Sequence, residues 1–136
     1  MKRGTILNPD LSYLLATLGH MDKIVVADCG LPIPEYVNRI DLTLKRGVPP
    51  FLTVFKTILG ELAVEKVLMA EEIKTKNPQM KKQIIELIAD HIEVEYIPHK
   101  LFKERVSGSK GIVRTGEVTP FSNIIIVAGV DFDGKW

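Results

Sequence analysis

The chain has 136 residues, of which 46% are hydrophobic and 26% charged, and 18 basic against 17 acidic residues leave a net charge of +1. The apolar content excludes a disordered chain, and the even charge balance argues against a nucleic-acid surface. One cysteine excludes an internal disulfide, and no apolar run approaches the roughly 18 residues of a membrane span. No signal-like apolar segment follows the N-terminus, so we expect one soluble, cytoplasmic domain over 1–136, without membrane insertion.

Four segments carry the signals of helices. Two of them begin with the same pair, Asn8-Pro9 and Asn77-Pro78, in which asparagine suits the helix cap and proline the first helical position. Apolar residues then recur with the 3.6-residue period of a helix that buries one face. The predicted helices cover 9–18, 51–62, 78–90 and 99–106.

Short apolar runs between these helices predict strands. Most are rich in isoleucine and valine, and the segment 40–44 alternates apolar and polar residues. The predicted strands cover 23–27, 40–44, 66–70, 94–97, 111–114 and 124–130. Alternation of strands with helices favours an α/β fold, with three layers, α/β/α, around a largely parallel or mixed sheet. A polar tail at 131–136 completes the chain.

Polar residues flank the first predicted strand. His20 lies in the loop before it, and histidine suits proton transfer at neutral pH; the alternative is an ordinary surface histidine. Asp28 follows the strand at its carboxyl end, where ligands collect in open α/β sheets. Asp28 alternatively caps its own loop through backbone amides. Eight residues separate the two, so they share a site only if the chain folds back.

A second histidine lies at another strand end. His99 follows Pro98, and Lys103 lies four residues on, on the same face of the predicted helix. The alternative is a solvent-exposed helix start. Neither His91, at a predicted helix end, nor Cys29, without a basic neighbour, is assigned a role.

The segment 114–123 is the most polar stretch between apolar runs. It combines hydroxyls, an amide, a carboxylate and a guanidinium, a set that suits a polyhydroxy ligand; the alternative is an ordinary polar connection. The segment 107–111 lacks the spacing of a phosphate-binding loop. Three scattered histidines and no paired cysteines predict no metal site.

Five short motifs follow one another along nearly the whole chain. They are Gly19-His20-x-Asp22, Asp28-x-Gly30-Leu31-Pro32-x-Pro34, Ala70-Glu71-Glu72-Ile73, His99-x-x-Phe102-Lys103 and Arg114-Thr115-Gly116-Glu117-x-Thr119-Pro120, and Asn123 and Ala128-Gly129-Val130 complete the set. Together they resemble the D-ribose pyranase family, whose relatives include the L-fucose mutarotases.

The resemblance implies a cytosolic isomerase that interconverts the β-pyranose and β-furanose forms of D-ribose and supplies furanose for phosphorylation. It implies no metal or nucleotide cofactor. It also implies a ring of subunits, commonly stacked into a decamer, with the sugar site between neighbours. The proton-transfer histidine would be His20. The residues that would bind the sugar are Asp28, His99, Phe121, Ser122 and Asn123, with Lys103 as a further candidate.

One departure concerns Phe121, where the family usually has tyrosine, so a phenol hydroxyl is missing at a position expected to touch sugar. Met21, where the family often has a smaller residue, is a milder departure. Two other functions stay open: a fucose-type mutarotase, and a sugar-binding protein without catalysis.

Overall fold

The computed structural model of the chain describes residues 1–134 and contains a six-stranded sheet with helices on both faces. The strands are β1 (Lys23–Ala27), β2 (Arg39–Asp41), β3 (Val64–Ala70), β4 (Glu93–Ile97), β5 (Gly111–Arg114) and β6 (Ile124–Ala128). The helices are α1 (Pro9–Thr17), α2 (Phe51–Leu59), α3 (Ile73–Lys76), α4 (Pro78–Leu87) and α5 (His99–Arg105), which continues into a 3₁₀ turn (Val106–Gly108).

The sheet is mixed, with the strand order β2-β5-β1-β6-β3-β4. Five strands run in one direction, and β6 lies antiparallel between β1 and β3. The carboxyl ends of those five strands and the start of β6 therefore lie at one edge, which we call the carboxyl edge. This arrangement confirms the predicted three-layer α/β fold with a largely parallel or mixed sheet.

Both faces of the sheet are buried. Ile24 and Val26 of β1 point into the core beneath α1, α2 and α4, whereas Val25 and Ala27 point into the core beneath α5. All four side chains have no solvent exposure. Burial on both faces explains why the central strands β1 and β6 are nearly continuous apolar runs in the sequence.

The two Asn-Pro pairs begin helices as predicted. The Asn8 side chain accepts a hydrogen bond from the Leu11 N–H (2.9 Å), and the Asn77 side chain accepts one from the Met80 N–H (3.3 Å). Each bond satisfies an amide that has no partner within the first turn of its helix. The Asn77 side chain also donates to the Pro120 carbonyl (2.9 Å), and this bond holds the start of α4 close to the carboxyl edge.

The predicted strand at 40–44 was wrong in its extent, since β2 spans Arg39–Asp41. The Asp41 carboxylate accepts the Thr43 N–H (3.0 Å), and Lys45 then pairs with Val48 across a tight turn. These local bonds turn the chain away from the sheet, although the sequence up to Leu44 continues to alternate apolar and polar residues.

Several other predicted boundaries of helices and strands were wrong by two or three residues. Helix α2 ends at Leu59 rather than 62, because Gly60 caps it, and α4 ends at Leu87 rather than near 90, because Ile88 is extended. The last strand ends at Ala128 rather than 130, and β3 begins at 64, two residues before its predicted start. The single-turn helix α3 was missed, because four residues carry too little periodicity.

None of the helices within residues 1–134 is long and apolar enough to span a membrane. The predicted polar tail begins at Asp131, after β6, and the last part of it, Lys135 and Trp136, lies outside the described residues.

Candidate active site

The carboxyl edge of the sheet carries a small cavity with both polar and apolar walls. Asp28 follows β1, His99 follows β4 at the start of α5, and Asn123 precedes the antiparallel β6. The topology thus brings together side chains up to 95 residues apart in sequence. The cavity has a volume of ≈ 250 Å³ and is lined by Asp28, Gly30, Leu31, Pro32, His99, Pro120, Phe121 and Asn123.

Asp28 and Asn123 are joined by two hydrogen bonds. The Asn123 Oδ1 atom accepts the Asp28 backbone N–H (2.8 Å), and Asn123 Nδ2 donates to Asp28 Oδ2 (3.0 Å). The other carboxylate oxygen accepts the Gly30 N–H (3.0 Å). Asp28 therefore caps its own loop, as the alternative interpretation held, and it also lines the cavity. Burial raises the pKa of Asp28, although these hydrogen bonds oppose the shift.

His99 also lines the cavity. Its backbone N–H donates to both Glu72 carboxylate oxygens (3.0 and 3.1 Å), which anchors the start of α5. Its ring stacks on Phe102 and meets Phe121 edge-on, with the His99 and Phe121 ring centroids 5.0 Å apart. Burial, and then the positive charge of Lys103, lower the pKa of His99, which favours the neutral imidazole.

The Nδ1 atom of His99 is buried and makes no hydrogen bond to any of residues 1–134. Buried polar atoms are nearly always paired, so this nitrogen is an exception among residues 1–134. A neutral imidazole offers one donor and one acceptor, which suits a hydroxyl group. The alternative interpretation, a solvent-exposed helix start, is only partly right. His99 begins α5, but it is half-buried.

Phe121 covers another side of the cavity from a backbone conformation that is rare for its residue type. Its φ is +56°, in the left-handed region, which costs an L-residue roughly 1–2 kcal/mol. The neighbouring Ser122 has no solvent exposure, and its hydroxyl lies 2.7 Å from Thr119 Oγ1, behind the cavity wall. Lys103 is exposed on α5 and does not line the cavity.

His20 does not join this cavity. It precedes β1, at the opposite edge of the sheet, where the neighbouring Met21 N–H bonds the Ala128 carbonyl (2.9 Å) at the end of β6. Strand β1 alone spans about 13 Å, at about 3.3 Å per residue. The His20 side chain is 53% exposed, and its Nε2 lies 2.9 Å from Glu65 Oε2. Within one chain His20 and Asp28 are therefore too far apart to bind one sugar molecule.

Several residues that shape the site were not singled out from the sequence. Glu72 anchors His99, which lies 27 residues further along the chain. Glu117 binds the Thr119 side chain within the loop before β6. Gly116 is required by packing, because a Cβ atom there would overlap the Val48 backbone. All three fall within the fragments that carry the family resemblance, and this was the only signal available.

Comparison with known proteins shows what the chain is similar to. Residues 1–131 match the model of the RbsD / FucU transport protein family. A D-ribose pyranase of Geobacillus thermodenitrificans is 49% identical and covers 97% of this chain and 99% of its own, and one of Escherichia coli is 45% identical, covering 97% and 100%. The structure of Bacillus subtilis RbsD complexed with D-ribose has a TM-score of 0.93 and 47% identity, and covers 97% of this chain and 100% of its own.

A more distant solved structure is the fucose mutarotase of Streptococcus pneumoniae in complex with L-fucose. It has a TM-score of 0.72 and 23% identity over 92% of this chain and 94% of its own. At that identity the likeness shows a shared fold.

Proposed function

The chain belongs to the RbsD / FucU transport protein family, and on that premise we propose that it is an isomerase of D-ribose. It interconverts the β-pyranose and β-furanose forms by acid–base opening and closure of the sugar ring, and it supplies furanose for phosphorylation in the cytoplasm. We treat residues 1–136 as one domain of this family, with 131–136 as its polar tail.

The observation that carries the proposal is similarity over the full length to proteins named D-ribose pyranase. Two such relatives are 45–49% identical and are covered over 99–100% of their own length. The B. subtilis relative, whose structure contains D-ribose, matches with a TM-score of 0.93. The fucose mutarotase matches at 23% identity, which supports the fold and not its substrate.

The cavity has the chemistry that a monosaccharide needs. Ring hydroxyls can donate to the Asp28 carboxylate and exchange hydrogen bonds with the Asn123 amide and the His99 imidazole. The apolar face of Phe121 suits the C–H side of the ring. The cavity volume of ≈ 250 Å³ lies below the roughly 300–1,000 Å³ of sites for drug-sized ligands, which fits one small sugar.

Opening and closing the sugar ring each require two proton transfers. The anomeric hydroxyl loses a proton while the ring oxygen gains one, and the ring opens to the aldehyde. A different hydroxyl then loses its proton as it attacks the aldehyde carbon, while the aldehyde oxygen gains one, and a ring of the other size closes. We assign the transfers to His20, since a positioned imidazole can both accept and donate a proton near neutral pH.

The position of His20 supports a site shared between subunits. Because His20 and Asp28 lie at opposite edges of the sheet, a complete site needs His20 from one chain and the cavity from another. A head-to-tail interface forms a ring when its rotation closes, and the ring we propose is a pentamer or a stacked decamer. With 53% of its side-chain surface exposed, His20 can face a neighbouring subunit.

The experiment that tests the proposal is NMR exchange spectroscopy on D-ribose, in which each ring form has its own anomeric signal. The parent protein should accelerate pyranose–furanose exchange, and His20→Ala should lower the rate by about 10²–10⁴-fold. His91→Ala, at an exposed histidine in the turn before β4, is the matched control and should retain the parent rate. Binding of ribose by the parent without faster exchange would reject the isomerase activity.

A further inference from the structure

Asn77 makes contacts in two directions. Its Oδ1 caps α4 by accepting the Met80 N–H (3.3 Å). Its Nδ2 donates to the Pro120 carbonyl (2.9 Å) and to the Ser122 hydroxyl (3.3 Å), more than 40 residues further along the chain. Asn8 caps α1 through the same Asn-Pro pair, but within residues 1–134 its side chain makes the capping bond alone. Capping therefore does not account for the Nδ2 contacts of Asn77.

The contacts of Asn77 continue as a chain of hydrogen bonds. The Ser122 hydroxyl lies 2.7 Å from Thr119 Oγ1, which lies 2.9 Å from Glu117 Oε2. The other oxygen of Glu117 accepts the Phe51 N–H (3.1 Å) at the start of α2. The loop before β6 is thus held between the first turns of two helices, and hydrogen bonds that share partners strengthen one another.

The residue between the two tethered positions carries the strained backbone. Asn77 binds Pro120 and Ser122, and Phe121 between them has a φ of +56°. Phenylalanine holds such a conformation only where its surroundings impose it. We propose that Asn77 is a positioning residue, which sets Phe121 and Asn123 in the geometry that binds D-ribose. This inference rests on the proposed function.

The substitution Asn77→Asp separates the two roles of this side chain. The variant would retain an oxygen for the Met80 N–H, since aspartate and asparagine cap helices equally well. It would lose both Nδ2 donors, and its second oxygen would face the Pro120 carbonyl and compete with Thr119 for the Ser122 proton. Asn8→Asp makes the same chemical change, with the same added charge, at a cap without a tether.

The test compares Asn77→Asp with Asn8→Asp in ring-exchange kinetics over a range of D-ribose concentrations. We expect the KM of Asn77→Asp to rise about two- to tenfold, the value of one or two hydrogen bonds, with kcat within about twofold. The melting temperature of Asn77→Asp should lie below that of Asn8→Asp, because only the Asn77 variant also loses its two Nδ2 bonds. Asn77→Ser and Asn8→Ser, which also keep a capping oxygen, provide a second pair that does not depend on charge.

Equal KM values within each pair would overturn the positioning role while the activity of the parent still supports the proposed function. A fall in melting temperature with an unchanged KM would also overturn it, because it would leave Asn77 a purely structural residue. A parent protein that does not exchange ribose would instead reject the proposed function and the inference with it.

Discussion

The side chain of Asn123 binds Asp28 at both ends of its amide: Oδ1 accepts the Asp28 backbone N–H at 2.8 Å, and Nδ2 donates to Asp28 Oδ2 at 3.0 Å. This pair joins the end of β1 to the start of β6. It also keeps a partly buried carboxylate in a fixed position on the cavity wall. The geometry of this pair predicts how the site responds to a change of one atom.

Asn123→Asp should weaken ribose binding in a pH-dependent way. The new carboxylate still accepts the Asp28 N–H, but it places two carboxylates about 3 Å apart, so one of them takes up a proton as the pH falls. We expect affinity to be lowest above pH 7 and to recover in acid, as measured by calorimetric titration with D-ribose. Asn8→Asp, at an exposed helix cap, is the control. A ribose affinity of Asn123→Asp that does not vary with pH would contradict the contact between residues 123 and 28 in the ribose-binding protein.

The titration of His99 provides a second prediction. Burial and Lys103 lower its pKa below the usual 6.5, so between the two values the unfolded chain binds more protons than the folded one. Stability conferred by the neutral ring is therefore present above pH 6.5 and is lost as the pH falls through the folded pKa. NMR titration should find the His99 midpoint below 6.5, and Lys103→Met should raise it in part, because burial remains. A parent midpoint above 6.5 would refute this.

Phe121→Tyr tests the departure from the family. Phe121 lines the cavity and its ring meets His99, so a phenol hydroxyl there would lie near the sugar. We expect a gain of about 0.5–1.5 kcal/mol, or roughly two- to tenfold in ribose affinity. A hydroxyl buried without a partner would instead cost about 1–3 kcal/mol. Met21, which lies beside His20 at the other edge, does not fill this space within the same chain.

The control for Phe121→Tyr is Phe102→Tyr, the other aromatic residue that contacts His99. Phe102 has no solvent exposure, so the added hydroxyl would enter the core and lower the melting temperature without a gain in affinity. Affinity below the parent in Phe121→Tyr would show that the site is packed around phenylalanine.

The local parts of the fold could be predicted from the sequence. Asn-Pro pairs begin α1 and α4 because their capping bonds span three residues, and β1 has its predicted bounds because all of its residues after Lys23 are apolar and buried. The end of β2 could not be predicted. It depends on the hydrogen bond from the Thr43 N–H to the Asp41 carboxylate, whereas the alternating sequence pattern continues beyond Asp41.

The site could be predicted only in its components. Asp28 and His99 were expected at strand ends, but their meeting with Asn123 depends on β6 running antiparallel between β1 and β3. No local sequence pattern shows whether a strand runs parallel or antiparallel to its neighbours. The separation of His20 from Asp28 likewise follows from the length of β1, and the buried Ser122 hydroxyl follows from its contacts with Thr119 and Asn77.

The central claim is that one site uses His20 of one subunit and the cavity of its neighbour. Co-expression of His20→Ala with Asp28→Asn tests it most directly. Each variant alone should be nearly inactive in ribose ring exchange. If the two variants mix at random in one assembly, about one site in four combines both intact residues, so the mixture should regain about a quarter of the parent activity. A mixture no more active than the two separate variants, although mixed assemblies have formed, would contradict the shared site.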